Sequence, residues 1–234
     1  MKICLLLIAT NHYIQFVNPL LESVEENFLN GHEVSAVLFT NHELEESTDN
    51  IKVCQIEHEP WPIPTLKRYH YFLKEKEYLM NFDYCFYLDV DMKIVNKVGE
   101  EILGDLVATQ HPGFWFRGIN EFSYERRPQS TAYVPFNTGR MYYAGGFNGG
   151  SPTHFLKMAE TIVHNVDTDF NNAIIAEWHD ESHMNRYLLE HPPTVELNPS
   201  YCFPEAAFIR PQGWHVPFEP KILALEKNHS EVRK

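Results

Sequence analysis

Asp89 and Asp91 stand one valine apart at the end of an uncharged, aromatic-rich run, Tyr84-Cys85-Phe86-Tyr87-Leu88. The run is short and bounded by polar residues, which reads as a buried strand. Two carboxylates so close repel each other unless a cation lies between them. A divalent metal meets that need, because Mg²⁺ and Mn²⁺ favour carboxylate oxygens and keep open positions for diphosphate oxygens. The plain alternative is a strand that runs into an acidic, solvated turn, and D-x-D alone does not decide. Trp178-His179-Asp180-Glu181-Ser182-His183 adds two carboxylates and two imidazoles in six residues. His179 and His183 have the i, i+4 spacing of a helical zinc pair, but the zincin pattern needs glutamate where Asp180 stands. The segment then reads either as a helix start capped by Asp180, or as Glu181 aimed into a cleft. Trp178 would be the apolar platform for a sugar ring in that cleft.

Other arrangements are weaker. Ala144-Gly145-Gly146-Phe147-Asn148-Gly149-Gly150 is turn-rich but lacks the lysine and hydroxyl residue of a P-loop. Its small residues either let a ligand approach the backbone closely or form an ordinary loop. Tyr124-Glu125-Arg126-Arg127 reads as structural ion pairing of a buried arginine. A haloacid dehalogenase-type phosphatase needs Thr or Val two residues beyond its second aspartate, and Lys93 stands there.

The elements that must hold these groups alternate between strand and helix, the signature of a largely parallel sheet. Apolar runs predict strands over residues 3–9, 34–39 and 51–56, with a short one near 194–197. Leu20, Leu21, Val24 and Phe28 give an apolar stripe to a helix from about residue 19 to 30, opened by Pro19 and stopped by Gly31. A helix opened by Thr65 carries Leu66, Tyr69, Leu73 and Tyr78. Residues 111–150 show little periodicity, and such a long irregular region is usually functional. Helical character resumes at Ser151-Pro152 and again around 178–189.

At 234 residues and 44% hydrophobic the chain can bury a substantial core. Its formal charge of −13 argues against nucleic acid and anionic membrane surfaces as partners. The apolar start, residues 1–10, has one lysine and no small-residue cleavage site, so it reads as a buried strand and not a signal peptide. No run reaches membrane-spanning length. Cys4, Cys54, Cys85 and Cys202 lack metal spacing and read as reduced core thiols. A cytoplasmic protein fits this pattern.

Taken in order, D-V-D-M, H-P-G-F, Y-E-R-R-P-Q-S-T-A-Y-V-P, Y-Y-A-G-G-F-N-G-G, W-H-D-E-S-H-M-N-R-Y-L-L and K-N-H-S-E-V-R resemble glycosyltransferase family 6. That family includes the blood-group A and B transferases and the α-1,3-galactosyltransferases. The resemblance runs through nearly the whole chain and is to a bare catalytic domain of the bacterial or phage type, without the vertebrate anchor and stem. It implies an α/β, GT-A fold, Rossmann-like, with a mixed and mostly parallel sheet. One domain would span residues 1–234: a nucleotide-binding half over 1–105, an acceptor-binding half over 106–226 and a mobile tail over 227–234. The implied reaction is retaining transfer of GalNAc or galactose from UDP to the 3-hydroxyl of a β-galactoside, fucosylated or not.

The resemblance also implies roles. Ile8, Ala9 and Tyr13 match uridine positions, with Tyr13 stacking on uracil. Arg68 matches the arginine that reaches the donor sugar and the first aspartate, and Val90 contacts ribose by its backbone. Asp89 and Asp91 would hold Mn²⁺, or Mg²⁺. Asp180 matches a donor-sugar partner, and Glu181 the nucleophile or its substitute. His111, Ser123 and Trp178, with Glu181, match acceptor positions. Ala144 and Gly146, flanking Gly145, match the positions that set room for the C2 substituent. Lys227 and Arg233 match tail residues that close over the diphosphate. An acceptor-side aspartate of the blood-group enzymes is replaced by Pro204, with Glu205 beside it. The competing readings are a UDP-sugar hydrolase and a non-catalytic sugar-binding relative.

Overall fold

The computed structural model describes residues 1–44, 50–209 and 217–232. Strand β1 (Lys2–Ile8) is flanked by β2 (Glu33–Thr40) and β4 (Tyr84–Leu88), and β3 (Ile51–Gln55) pairs outside β2, all four parallel. Beyond β4 run β7 (Tyr143–Gly150), β6 (Leu106–Gln110) and β8 (Val195–Leu197), giving the order β3-β2-β1-β4-β7-β6-β8. Only β7 is antiparallel to its neighbours. The sheet is therefore mixed and mostly parallel, as expected.

The alternation of β1 explains its central place. Ile3, Leu5 and Leu7 join the apolar cluster on one face and Cys4 and Leu6 the cluster on the other, all at 0% exposure. A strand buried on both faces reads as a continuous apolar run. Helix α1 (Val17–Asn27) covers the first face with Val17, Leu20 and Val24. The single helix expected from Thr65 is three short ones, α2 (Ile63–Leu66), α3 (Arg68–Lys74) and α4 (Lys76–Leu79). It breaks at Lys67 and Glu75, whose backbones relax to ψ of 7° and 15°. Helix α5 (Pro152–Asn171) and helix α6 (His179–Glu190) complete the second face through Phe155, Leu156, Met184 and Leu188.

Two differences from the sequence reading shape the site. The turn-rich glycine segment is a strand, β7, buried at every position. Glycine is depleted in strands, yet here close approach requires it. A Cβ at Gly150, whose φ is +145°, would lie 2.2 Å from the Asp105 carbonyl oxygen. The second difference is a small sheet in which β5 (Met92–Ile94) pairs with β10 (Ile222–Ala224), which pairs in turn with β9 (Phe203–Pro204). Helix α7 (Glu205–Ile209) follows β9, and α8 (His229–Val232) follows β10. The small sheet carries the C-terminal segment onto the aspartate turn, where Leu225 N–H donates to the Asp91 carbonyl at 3.0 Å. No helix among the described residues is long and apolar enough to cross a membrane.

Candidate active site

The sheet order doubles back at β1: β2 and β3 lie on one side of it and β4 on the other. Open α/β sheets bind ligands at such a switch point, outside the carboxyl ends of the strands. A cavity of about 310 Å³ opens there. Ile8, Thr10 and Tyr13 enter it from the end of β1, and Asp89, Val90 and Asp91 from the end of β4. Trp61 and Trp178, each about half exposed, stand in its lining, with Lys227 and Val232 from the tail.

A bulge in β7 builds the floor. Thr109 pairs with Ala144 but Ala108 pairs with Asn148, so Gly145, Gly146 and Phe147 have no partners in β6. Bulges of this kind re-aim groups beside active sites. Three of the freed backbone groups are taken up by neighbours. Gly146 C=O accepts from Asp89 N–H at 2.9 Å. Gly145 C=O accepts from Arg68 Nη1 at 2.8 Å and Asn148 Nδ2 at 3.0 Å. Gly145 N–H donates to Glu181 Oε2 at 2.7 Å.

Arg68, 6% exposed, ties the cavity together. Its Nε lies 3.3 Å from Asp180 Oδ2 and its Nη2 3.5 Å from Asp89 Oδ1. Its guanidinium sits 4.1 Å over the Tyr87 ring, and the Tyr87 hydroxyl donates to Asp89 Oδ1. Glu181 is clamped by two donors, the Tyr142 hydroxyl at 2.8 Å on Oε1 and Gly145 N–H on Oε2. Burial raises its carboxyl above the ordinary range, and those two donors offset part of the rise. Asp180 and Glu181 both line the cavity, and His179 immediately before them takes φ +53°. That left-handed conformation costs a histidine on the order of 1–3 kcal/mol. Strain of this kind clusters at functional sites. Trp178, not Asp180, occupies the cap position of α6, and Asp180 is 1% exposed with no hydrogen-bond donor on either oxygen.

Burial pushes the Asp180 carboxyl up to about 7 from an ordinary 3.8; Arg68 pulls it back part of the way, and Glu181 adds to the rise. With the folded-state value raised, protonation favours the fold. The contribution is fully present below about 3.8 and is lost as the pH climbs through 7. Relative to the parent, nucleotide-free Asp180→Asn should therefore gain about 2–3 kcal/mol of stability between roughly pH 5 and pH 8. Urea denaturation at the two pH values reads this directly; an offset that does not change with pH would contradict it.

Among the described residues the lining holds the carboxylates of Glu59, Asp89, Asp91, Asp180 and Glu181 against the cations Arg68 and Lys227. Glu59 is already paired with Lys67 at 2.8 Å. Asp91, 6% exposed, is met at Oδ2 by the Lys227 ammonium. A cation thus already stands on the aspartate pair. No group of three or more His, Cys, Asp or Glu among the described residues is arranged to hold a metal by itself. Two carboxylates suit a hard cation that takes its remaining ligands from a substrate.

The model for glycosyltransferase family 6 matches residues 1–234. The chain belongs to that family. It is 34% identical to the rat histo-blood group ABO system transferase 1 over 235 residues, covering 96% of this chain and 66% of the rat protein. It is 31% identical to the chicken globoside alpha-1,3-N-acetylgalactosaminyltransferase 1, covering 96% and 67%. With the O-antigen biosynthesis glycosyltransferase WbnI of Escherichia coli it shares 29% identity, covering 88% and 89%. The chain spans about two thirds of the length of the rat and chicken relatives. Its sheet is that of the GT-A type found in family 6.

The family 6 positions separate into two sets. Ile8, Tyr13, Arg68, Asp89, Val90, Asp91, Gly145, Gly146, Trp178, Asp180, Glu181 and Lys227 line the one cavity. Ala9 and Ala144 do not line it; both are buried in the core cluster under α1. His111 and Ser123 also lie outside the lining. His111 packs against Tyr142 at 5.8 Å between ring centroids, one residue removed from Glu181, and burial pushes its imidazole down to about 4. Ser123 sits between Phe122 and Tyr124 of a separate aromatic cluster. Glu205 accepts from Glu226 N–H at 2.8 Å. Arg233 lies outside the described residues.

Tyr87 and Tyr142 are the participants that the sequence reading did not single out, since aromatic residues in apolar runs look like core. The Tyr124–Arg127 segment holds an ion pair, but not the buried arginine expected: Glu125, 1% exposed, pairs at 2.6 Å with Arg127, whose side chain is exposed.

Proposed function

We propose that the chain transfers GalNAc, in preference to galactose, from UDP to the 3-hydroxyl of a β-galactoside, keeping the α configuration at the sugar's C1. One observation carries this reading. At the switch point, an aspartate pair just past the end of β4 faces a doubly clamped glutamate on α6 across a cavity lined by Ile8 and Tyr13. The first suits a diphosphate that leaves, and the second a sugar carbon that becomes electron-poor.

In this reading Tyr13 and Ile8 hold uracil, and the Val90 backbone meets the ribose. Asp89 and Asp91 fit Mn²⁺, with Mg²⁺ as the alternative, and a metal there would neutralise charge on the diphosphate. Lys227 adds a cation on the same side of the cavity. The bond from C1 to the diphosphate oxygen breaks with its electron pair leaving on UDP. Glu181 faces the positive charge left on C1, held by Tyr142 and Gly145 so that it need not reorganise. The acceptor 3-hydroxyl oxygen bonds to C1 and its proton passes to the bound UDP, with retention coming from two inversions through an ester on Glu181 or from departure and attack on one face. Asp180 and Arg68 orient the donor sugar. Trp178, half exposed, supports a stacked acceptor ring.

The donor preference rests on Gly146. Gly146 lines the cavity, and a Cβ there would lie 2.5 Å from Met92 Cε and 2.8 Å from Asp89 Oδ2, so an added methyl would have to displace both side chains. Gly146→Ala should lower kcat/KM for UDP-GalNAc by about 10- to 200-fold, the cost of one methyl in a packed pocket, and reduce UDP-galactose use less. Equal losses with both donors would trace the effect to Asp89 and refute the C2-pocket reading. The overall reading is tested by a donor and acceptor screen that follows UDP release. Release that requires a β-galactoside supports transfer; release at the same rate without acceptor marks a UDP-sugar hydrolase.

A further inference from the structure

Asn185 lies one helical turn beyond Glu181, is 1% exposed, and takes no part in the cavity lining. Its side-chain amide does what a neighbouring strand would do. Oδ1 accepts from Tyr143 N–H at 2.8 Å and Nδ2 donates to Tyr143 C=O at 2.8 Å. Nδ2 also donates to the Glu181 carbonyl of its own helix at 3.0 Å. At this point β7 has β6 on one side, through the pair Gln110 and Tyr143, whereas β4 joins the other side only from Phe147 onward. Without Asn185 both main-chain groups of Tyr143 would be buried with no partner, a costly state.

Tyr143 is flanked by the two donors that clamp Glu181. Tyr142 precedes it with its hydroxyl on Oε1, and Gly145 follows two residues later with its N–H on Oε2. One amide thus fixes the start of β7 to the helix that bears Glu181, and so sets the distance between the carboxylate and both of its donors. We propose that Asn185 is a positioning residue for the transfer reaction, acting through the Tyr142–Gly145 clamp on Glu181. The proposal rests on the role given to Glu181 above.

Two measurements on Asn185→Ala and Asn185→Ser test it. In nucleotide-free protein, amide hydrogen exchange followed by NMR should show protection falling about tenfold or more at Gly145 as well as at Tyr143. If Gly145 keeps its parental protection, the clamp does not depend on Asn185 and the proposal is wrong. In turnover, with enzyme counted by UDP-binding sites, kcat should fall roughly 30- to 100-fold while UDP affinity stays within about threefold of the parent. Unchanged kcat per UDP-binding site would overturn the proposal, and so would loss of UDP binding in both variants, which would make Asn185 a folding residue. A parent enzyme that transfers no sugar would refute the proposed reaction instead, and the exchange measurement would still decide the role of Asn185.

Discussion

Glu181→Ala is expected to lower kcat for transfer by roughly 10³-fold, about 4 kcal/mol of transition-state stabilisation, while UDP binds as in the parent. The carboxylate is in place before the donor arrives: Tyr142 and Gly145 fix both oxygens, and Arg68 is linked to the same floor through Gly145 C=O. Alanine removes the only group in the cavity that is held so, among the described residues, by two neutral donors. Glu181→Gln keeps the shape but puts a donor where Tyr142 and Gly145 also donate, so it should lose nearly as much. The proposed UDP contacts, at the ends of β1 and β4, lie across the cavity and should be untouched. Steady-state kinetics together with UDP titration check this. A Glu181→Ala enzyme within tenfold of the parent would show that Glu181 is only a wall of the site.

Asp91→Asn is expected to cost about 10²–10³-fold in kcat/KM and to abolish Mn²⁺-dependent tightening of UDP binding. Full parental activity in EDTA would refute metal dependence. Asp91 is the better-defined half of the pair: it is 6% exposed, its carbonyl holds Leu225 N–H, and its carboxylate meets Lys227. Asp89 divides its attention, since Oδ1 is taken by Tyr87 and faced by Arg68. Circular dichroism should find Asp91→Asn folded, because the isosteric amide still packs beneath β10.

The sequence made the parallel core legible because β1 and β4 are buried on both faces and therefore read as nearly unbroken apolar runs. The aspartate pair was legible for the same reason, as the charge that ends such a run. The β7 strand was not. Its glycines are there to let Cys85 and Asp105 carbonyls come close, with a Cβ at Gly149 falling 2.4 Å from Cys85 O, and no local propensity registers a demand made by distant neighbours. Tyr87 and Asn185 were hidden similarly: a tyrosine within an apolar strand and an asparagine within a helix show their partners only after folding. The positive φ of His179, just before Asp180 and Glu181, is likewise something a helical reading of the segment does not contain.

The most direct test of the central claim is the structure of the product. The enzyme is incubated with UDP-GalNAc, Mn²⁺ and a β-galactoside, and the isolated product is read by NMR for anomeric configuration and linkage. A new α-linked GalNAc on the 3-hydroxyl of galactose is expected. A β linkage, attachment at another hydroxyl, or free GalNAc as the sole product would contradict it.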